Sequence, residues 1–385
     1  MMNLECQKEL FTLTEGIHYF NCASKSPLLK SAELLAVKAV QYQRHPFHLK
    51  DVDFFSEVEN VKEEFAKLIN TSKNNIAIIP SVSYGFASML KNVSPKDNGH
   101  ALTIRDEFPS GYYALEKWCI DNSNSLKIVN PILSESEVGK SWNHQVVESI
   151  NDDTSVVLMS AIHWINGLKF DIQAIGKKCK NVGAKLLIDG TQMLGAMPFD
   201  ISKYDIDGIV CGGYKWLFGP YSVALAYFDD AFFNGKPIEE SWMNRVNARD
   251  FKNLTNYNDN YLEGASRYCV GETSNFILMA ILLEGLKQVN EWTPYAIQNY
   301  CAKLMSPVRE IMIKKGLYTE AEAFSVNHIL SMQLPSSIDP TNFKQKLEEN
   351  KFFVSQRGNA LRLSFNVFNS EDEVAKFISF LSVNI

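Results

Sequence analysis

The segment GGYKWLFGP, residues 212–220, sets one lysine, Lys215, among glycines, a tyrosine and large apolar side chains. Burial disfavours the charged form of a lysine and pushes its pKa down. An amine that is neutral near physiological pH is a nucleophile, and its usual use is a Schiff base with a carbonyl compound or pyridoxal phosphate (PLP). The same letters also suit a lysine whose stem packs on Trp216 while its head reaches water. Upstream, LLIDGTQMLGAMPFD ends a run of strand character on Asp189 and places Gln192 three residues on. In an open parallel sheet, ligands bind outside the carboxyl ends of the strands. Asp189 there suits either a protonated ring nitrogen or a helix cap. Lys215 follows the next strand, IDGIVCGGY, so the two groups lie on adjacent connections at one end of a sheet. A cationic pyridine nitrogen needs a carboxylate on one side, and its aldehyde carbon needs an amine on the other.

A third stretch, PSVSYGFASML, follows a strand and opens a helix, with hydroxyls at Ser81 and Ser83 and a glycine at 85. Free N–H groups and the positive end of a helix make an anion site. A serine-capped helix without a ligand has the same pattern.

The elements that must carry these residues alternate. NNIAIIP, GHALTI, SLKIVN, TSVVLMSAI, AKLLID and IDGIVCGG are short, almost wholly apolar runs, and helical stretches such as FDIQAIGKKCKNVG separate several of them. That texture predicts a parallel sheet covered on both faces. Before it, DVDFFSEVENVKEEFAKLIN spaces Phe54, Val58, Val61, Phe65 and Leu68 as one helical stripe. After about residue 285 come a helix around SPVREIMIKKG, strands in SVNHILSMQL and ALRLSFNVF, and a closing helix with Ser370 and Glu373 spaced as a capping box. The expected division is a large domain over 26–284 and a smaller α+β domain built from 1–25 and 285–385. Asn-rich residues 247–268 read as a long loop.

Composition narrows the functional classes. The 385 residues carry a net charge of −6 without a long Lys/Arg cluster, which argues against a nucleic-acid footprint. No apolar run reaches the length of a membrane span, and MMNLECQKEL lacks an apolar signal core. Seven scattered cysteines without a CxxC pair suggest neither disulfides nor a metal site, and fit the cytoplasm. No G-x-G-x-x-G follows the first strand, so nicotinamide chemistry fits poorly.

In order and content these motifs resemble the class V aminotransferases, fold-type-I PLP enzymes, in the isopenicillin-epimerase-like or selenocysteine-lyase-like branch. The resemblance runs from HYFNCASKSPL to LRLSFNVFNSEDE and is most specific in IDGTQ and GGYKWLFGP. It implies PLP held on Lys215, which would also move the proton at the substrate's α carbon. It implies Asp189 at the pyridinium nitrogen, Gln192 at the ring's phenolic oxygen, and Val82 and Ser83 at the phosphate. Phe108 falls where the family stacks a ring on the cofactor; a core phenylalanine is the rival reading. Arg362 matches the arginine that receives the α-carboxylate, with Arg357 as the alternative, and guanidinium suits a carboxylate in two-bond contact.

Three departures stand out. A phosphate-binding serine of many relatives is Gly212 here, and the histidine just before the lysine is Tyr214, whose phenol can donate instead. The desulfurase asparagine near the ring oxygen is Trp164, beside His163, which reads as a packed or exposed histidine. In VGETSNF, Thr273 or its neighbour Glu272 would reach the neighbouring subunit's phosphate, which implies a homodimer. Cysteine desulfurases carry a nucleophilic cysteine before the carboxylate arginine, but residues 302–361 contain none. Cys22 reads as a small buried residue. The expectation is therefore an aminotransferase, with epimerase and β-lyase as alternatives and a retired PLP-fold binding protein as the reading from another class.

Overall fold

The structure is a computed structural model that describes residues 4–133 and 137–385. The first three residues of the expected small-domain segment, and of the N-terminal stretch read for a signal core, lie outside the described residues.

Along the chain come β1 (His18–Tyr19), α1 (Lys30–Gln43), α2 (Asp53–Ile69), β2 (Ile76–Ile79), α3 (Val82–Leu90), β3 (His100–Ile104), α4 (Pro109–Asp121), β4 (Ser125–Val129), α5 (Val138–Ser149), β5 (Thr154–Ser160), α6 (Ile172–Val182), β6 (Lys185–Asp189), β7 (Gly208–Gly212) and β8 (Ala224–Phe228). Seven strands form one sheet in the order β2-β8-β7-β6-β5-β3-β4. Neighbours from β4 to β7 pair in parallel, and β8 alone runs against its neighbours. The central strands are buried along their whole length, as a sheet covered on both faces requires. All six expected strands are present. β8 was not among them, because it follows β7 through a helix-free connection and so returns antiparallel instead of continuing the strand–helix alternation.

In α2 the expected stripe is real: Val58, Val61, Phe65 and Leu68 are buried, and Phe54 is half-buried. It packs on α7 (Phe276–Trp292), as does α1. Then follow α8 (Pro294–Lys314), β9 (Ile329–Gln333), α9 (Pro340–Glu349), β10 (Phe352–Phe353), β11 (Ser355–Arg357), β12 (Ala360–Ser364) and α10 (Glu371–Asn384). The helix expected around SPVREIMIKKG is the second half of α8, with Pro307 inside it. β11, β12 and β9 make an antiparallel sheet, and β1 pairs in parallel with β10. The capping box of Ser370 and Glu373 is formed.

These last elements enclose their own apolar cluster, which Phe20 of the N-terminal segment joins. α7 runs unbroken across residues 284 and 285 and buries Leu286, Val289 and Trp292 in the core of the large layer. We propose that the domain boundary lies at Thr293, between α7 and α8, instead of after residue 284.

Candidate active site

The carboxyl ends of β5, β6 and β7 and the start of α3 surround a cavity of about 350 Å³. Val82, Ser83, Phe108, Asp189, Gln192, Tyr214 and Lys215 all line it. The sequence had spread these seven residues over more than 130 positions, and the sheet gathers them at one end.

Lys215 is buried, 7% exposed, and its Nζ lies 5.6 Å from the Phe108 ring centre and 5.5 Å from that of Tyr214. Burial lowers its pKa to about 8; Asp189 pulls it up, and Arg362 and Arg357 push it further down. The solvent-reaching arrangement of this lysine is therefore set aside by its position.

Asp189 ends β6, and burial raises its pKa. The Thr191 N–H donates to Asp189 Oδ1 at 2.8 Å, and the Thr191 hydroxyl accepts the Gly212 N–H at 3.2 Å. One turn therefore fixes both the carboxylate and the start of the lysine loop. Gln192 is committed more than its sequence suggested. Its Oε1 accepts the Trp216 indole N–H at 2.8 Å, and its Nε2 donates to the Ala23 carbonyl at 3.0 Å. One amide hydrogen remains for a ring oxygen. Its backbone carbonyl accepts from His328 Nε2 at 2.7 Å. Burial drives the His328 pKa down to about 4, so the ring is a neutral donor there.

At the other end of the cavity Ser81 caps α3, accepting the Tyr84 N–H at 3.2 Å. The Val82 and Ser83 N–H groups belong to the first turn, where a helix offers no internal acceptor. Tyr214 stays a phenol, its pKa raised to about 12 by burial, and so remains a donor. A Cβ at Gly212 would lie 3.0 Å from the Tyr214 ring. A side chain at 212 would therefore crowd the Tyr214 ring.

Arg362 is 1% exposed on β12. Its Nη1 donates to the Trp164 carbonyl at 2.6 Å, while Nε and Nη2 are buried without a partner. Trp164 lines the cavity, meets Phe108 edge-on at 5.4 Å, and donates its indole N–H to the Asp106 carbonyl. Arg362 thus stands behind the wall with two unspent donors. Thr273 is buried and does not line the cavity. Cys22 is fully buried, contacted by the Asn366 amide at 3.2 Å, and burial raises its pKa to about 12, so it is a packed thiol. His163 is buried between Asn166 and the Arg105 carbonyl.

Sequence reading passed over Glu107. It is buried beside Asp189, with its pKa raised to about 7 by burial first and by Asp189 second. It accepts the Phe108 N–H at 2.7 Å, the Ser160 N–H at 2.6 Å and the Ser160 hydroxyl at 2.5 Å. Nothing in the run RDEF separates it from exposed Arg105 and Asp106; only the bonds that the fold supplies do.

An amine, a carboxylate, unpaired N–H groups at a helix start and an aromatic wall, in a cavity within the ordinary range for small ligands, fit PLP. The chain belongs to the class V aminotransferase family, whose profile, Aminotransferase class-V, matches residues 38–377. It is similar to the uncharacterized aminotransferase YcbU of Bacillus subtilis (strain 168), 22% identical over 318 residues, covering 82% of this chain and 80% of YcbU. It is also similar to the kynureninase of Homo sapiens, 22% identical, covering 82% and 72%. Among solved structures, C-DES has the same fold. A lysine-to-alanine mutant of it with glycine covalently linked to the PLP cofactor gives a TM-score of 0.87 at 16% identity, over 98% of this chain and 99% of C-DES. The cystine C–S lyase C-DES with its product cysteine persulfide gives 0.84 at 17% identity, over 96% and 98%. The protein is a PLP-dependent enzyme of fold type I, with a mainly parallel sheet as expected. Among the described residues no helix is long and apolar enough to cross a membrane.

Proposed function

We propose that the protein removes the α proton of an amino acid and expels a substituent from its β carbon, as a β-lyase. The observation that carries this reading is Lys215: a buried amine, its pKa near 8, between Asp189 and the unspent donors of Arg362. Bound PLP would supply an electron sink at the α carbon. Asp189 would keep the ring nitrogen protonated, Phe108 would cover the ring, Gln192 would meet its oxygen, and Val82, Ser83 and Tyr214 would hold the phosphate. Arg362 would take the α-carboxylate. Lys215 would accept the α proton, the Cα–H electron pair would become the Cα=Cβ double bond as the Cβ–substituent pair leaves with the departing group, and the lysine ammonium would return a proton to that group.

Elimination is preferred to transamination because a structure of the same fold is a C–S lyase by name, and because a hercynylcysteine sulfoxide lyase is among the relatives. The aminotransferase reading stays as the second one on the strength of YcbU. Holoenzyme mixed with S-alkylcysteines and no keto acid separates them. Repeated turnover releasing keto acid, ammonia and thiol supports elimination; conversion of one cofactor equivalent, continuing only when a keto acid is added, identifies an aminotransferase.

We also propose a homodimer, with Thr273 serving the other copy's phosphate. Leu34, Val37 and Val40 on α1 and Phe47 beyond it are more than half exposed, an apolar face that a soluble monomer rarely leaves open. Sedimentation at micromolar concentration tests it, and a fully active monomer sinks it. Seven free cysteines, six of them buried, support a place in the reducing cytoplasm.

A further inference from the structure

Arg357 and Arg362 lie on one face of the small sheet. In the β11–β12 register, Ser355 pairs with Arg362 and Arg357 with Ala360, so the two arginines are diagonal neighbours, about 7–8 Å apart at the backbone. Both point toward the wall made by Trp164. Arg362 binds the Trp164 carbonyl, and the Arg357 guanidinium sits 5.4 Å from the centre of the Trp164 ring. Among the described residues neither has a carboxylate within ion-pair distance; the arginine pairs that form are Arg105–Asp106 and Arg245–Glu240. The remaining bonds do not discharge them: Arg357 Nη1 reaches only the Gln356 carbonyl, and Arg357 Nε, Arg362 Nε and Arg362 Nη2 are buried without partners.

Two guanidiniums this close repel each other and leave desolvated donors unspent, a cost that folded chains normally offset with an acid. One substrate α-carboxylate would answer Arg362 and leave Arg357 as it is. We propose that Arg357 is a specificity residue that binds a second anionic group, carried on the side chain of the substrate, so that the enzyme prefers acidic amino acids over their neutral isosteres. This deepens the reading of Arg362 as the α-carboxylate site. Trp164 fits the role: its ring supports the Arg357 plane by cation–π contact while its carbonyl holds Arg362. Both arginines also act on Lys215, which places them within electrostatic reach of the reacting centre.

The test is equilibrium binding to the holoenzyme, which needs no turnover. Succinate carries two carboxylates; succinamate has nearly the same shape and one. By calorimetric titration, succinate binds at least about tenfold more tightly, the minimum expected for a desolvated charge pair. In Arg357→Gln that ratio falls to within about twofold, and Arg357→Lys restores part of it, because an ammonium keeps the charge without the fork. A wild-type ratio near one overturns the proposal, and so does an Arg357→Gln variant that weakens both ligands equally. Melting temperatures of both variants show whether each is folded. Turnover of S-carboxymethylcysteine against its amide separates this inference from the assigned reaction. Charge preference in binding without elimination leaves the inference standing and removes the β-lyase reading. Elimination of both compounds at equal kcat/KM removes the inference alone.

Discussion

Replacing Lys215 by methionine should make the cofactor-free protein more stable at neutral pH while abolishing its activity. The amine falls from an ordinary 10.5 to about 8 in the fold because it is desolvated. At about 1.4 kcal/mol per pH unit of displacement, holding it as a cation in that pocket costs about 3 kcal/mol. The direction with pH follows from proton binding. Between pH 8 and 10.5 the unfolded chain binds the proton more strongly than the folded one, so stability rises with pH across that window. Below pH 8 the lysine is charged in both states and the whole penalty is present. Methionine has a similar apolar stem and no charge. It deprives buried Asp189 of a nearby cation, which returns part of the gain. The expected net stabilisation at pH 7 is therefore about 1–3 kcal/mol, shrinking toward zero as pH approaches 10. Denaturant titrations of both cofactor-free proteins at pH 7, 8, 9 and 10 measure it. A methionine variant less stable than the wild type at pH 7, or a gap that widens as pH rises, would show that Lys215 is not a desolvated amine and would remove the physical basis of its reactivity.

Borohydride reduction of the holoenzyme should fix the cofactor on the peptide that contains Lys215, and recovery on any other lysine refutes the assignment. Asp189→Asn should lower kcat far more than it weakens cofactor binding, since a neutral amide cannot hold the ring nitrogen protonated; an unchanged kcat reduces Asp189 to a cap on its turn. Arg362→Ala should lose about 2–5 kcal/mol in kcat/KM, the usual cost of breaking a desolvated charge pair, with the cofactor's spectrum intact. A lowered melting temperature with normal kcat/KM would instead make Arg362 a structural residue. Glu107, held at about 7 against an ordinary 4.5, binds its proton more strongly folded than unfolded, so its contribution to stability is lost as pH rises from 4.5 through 7. Glu107→Gln should flatten stability against pH between 5 and 8, and an unaltered slope counts against a buried proton there.

Most of the large layer was legible because its signals are local. Apolar runs such as TSVVLMS cannot be read as anything but buried, and Ser81 caps its helix through a bond three residues long. Lys215 and Asp189 were legible for a related reason: Asp189 ends β6 and Lys215 lies just beyond the end of β7, and strand ends in such a sheet meet. What was hidden depends on contacts between distant segments. Glu107 looks like any loop carboxylate until Ser160, 53 positions away, folds onto it. Gln192 looks free until Trp216 and Ala23 take its amide. The change in sequence texture near residue 285 marks where strands stop, whereas α7 packs with α1 and α2, which is why the boundary proposed here lies beyond it. β8 was passed over because only the pairing itself shows that an apolar run turns back.

The contact between Gly212 and the Tyr214 ring bears on the order in which this site could be assembled. A side chain at 212 and a full ring at 214 compete for the same space, and overpacking of this kind costs about 1–3 kcal/mol. Their substitution effects should therefore not add. Serine placed at 212 beside the intact Tyr214 ring has to push that ring aside, whereas trimming Tyr214 first opens the space. Introducing a hydroxyl at 212 is correspondingly a two-residue change, with Tyr214 trimmed first.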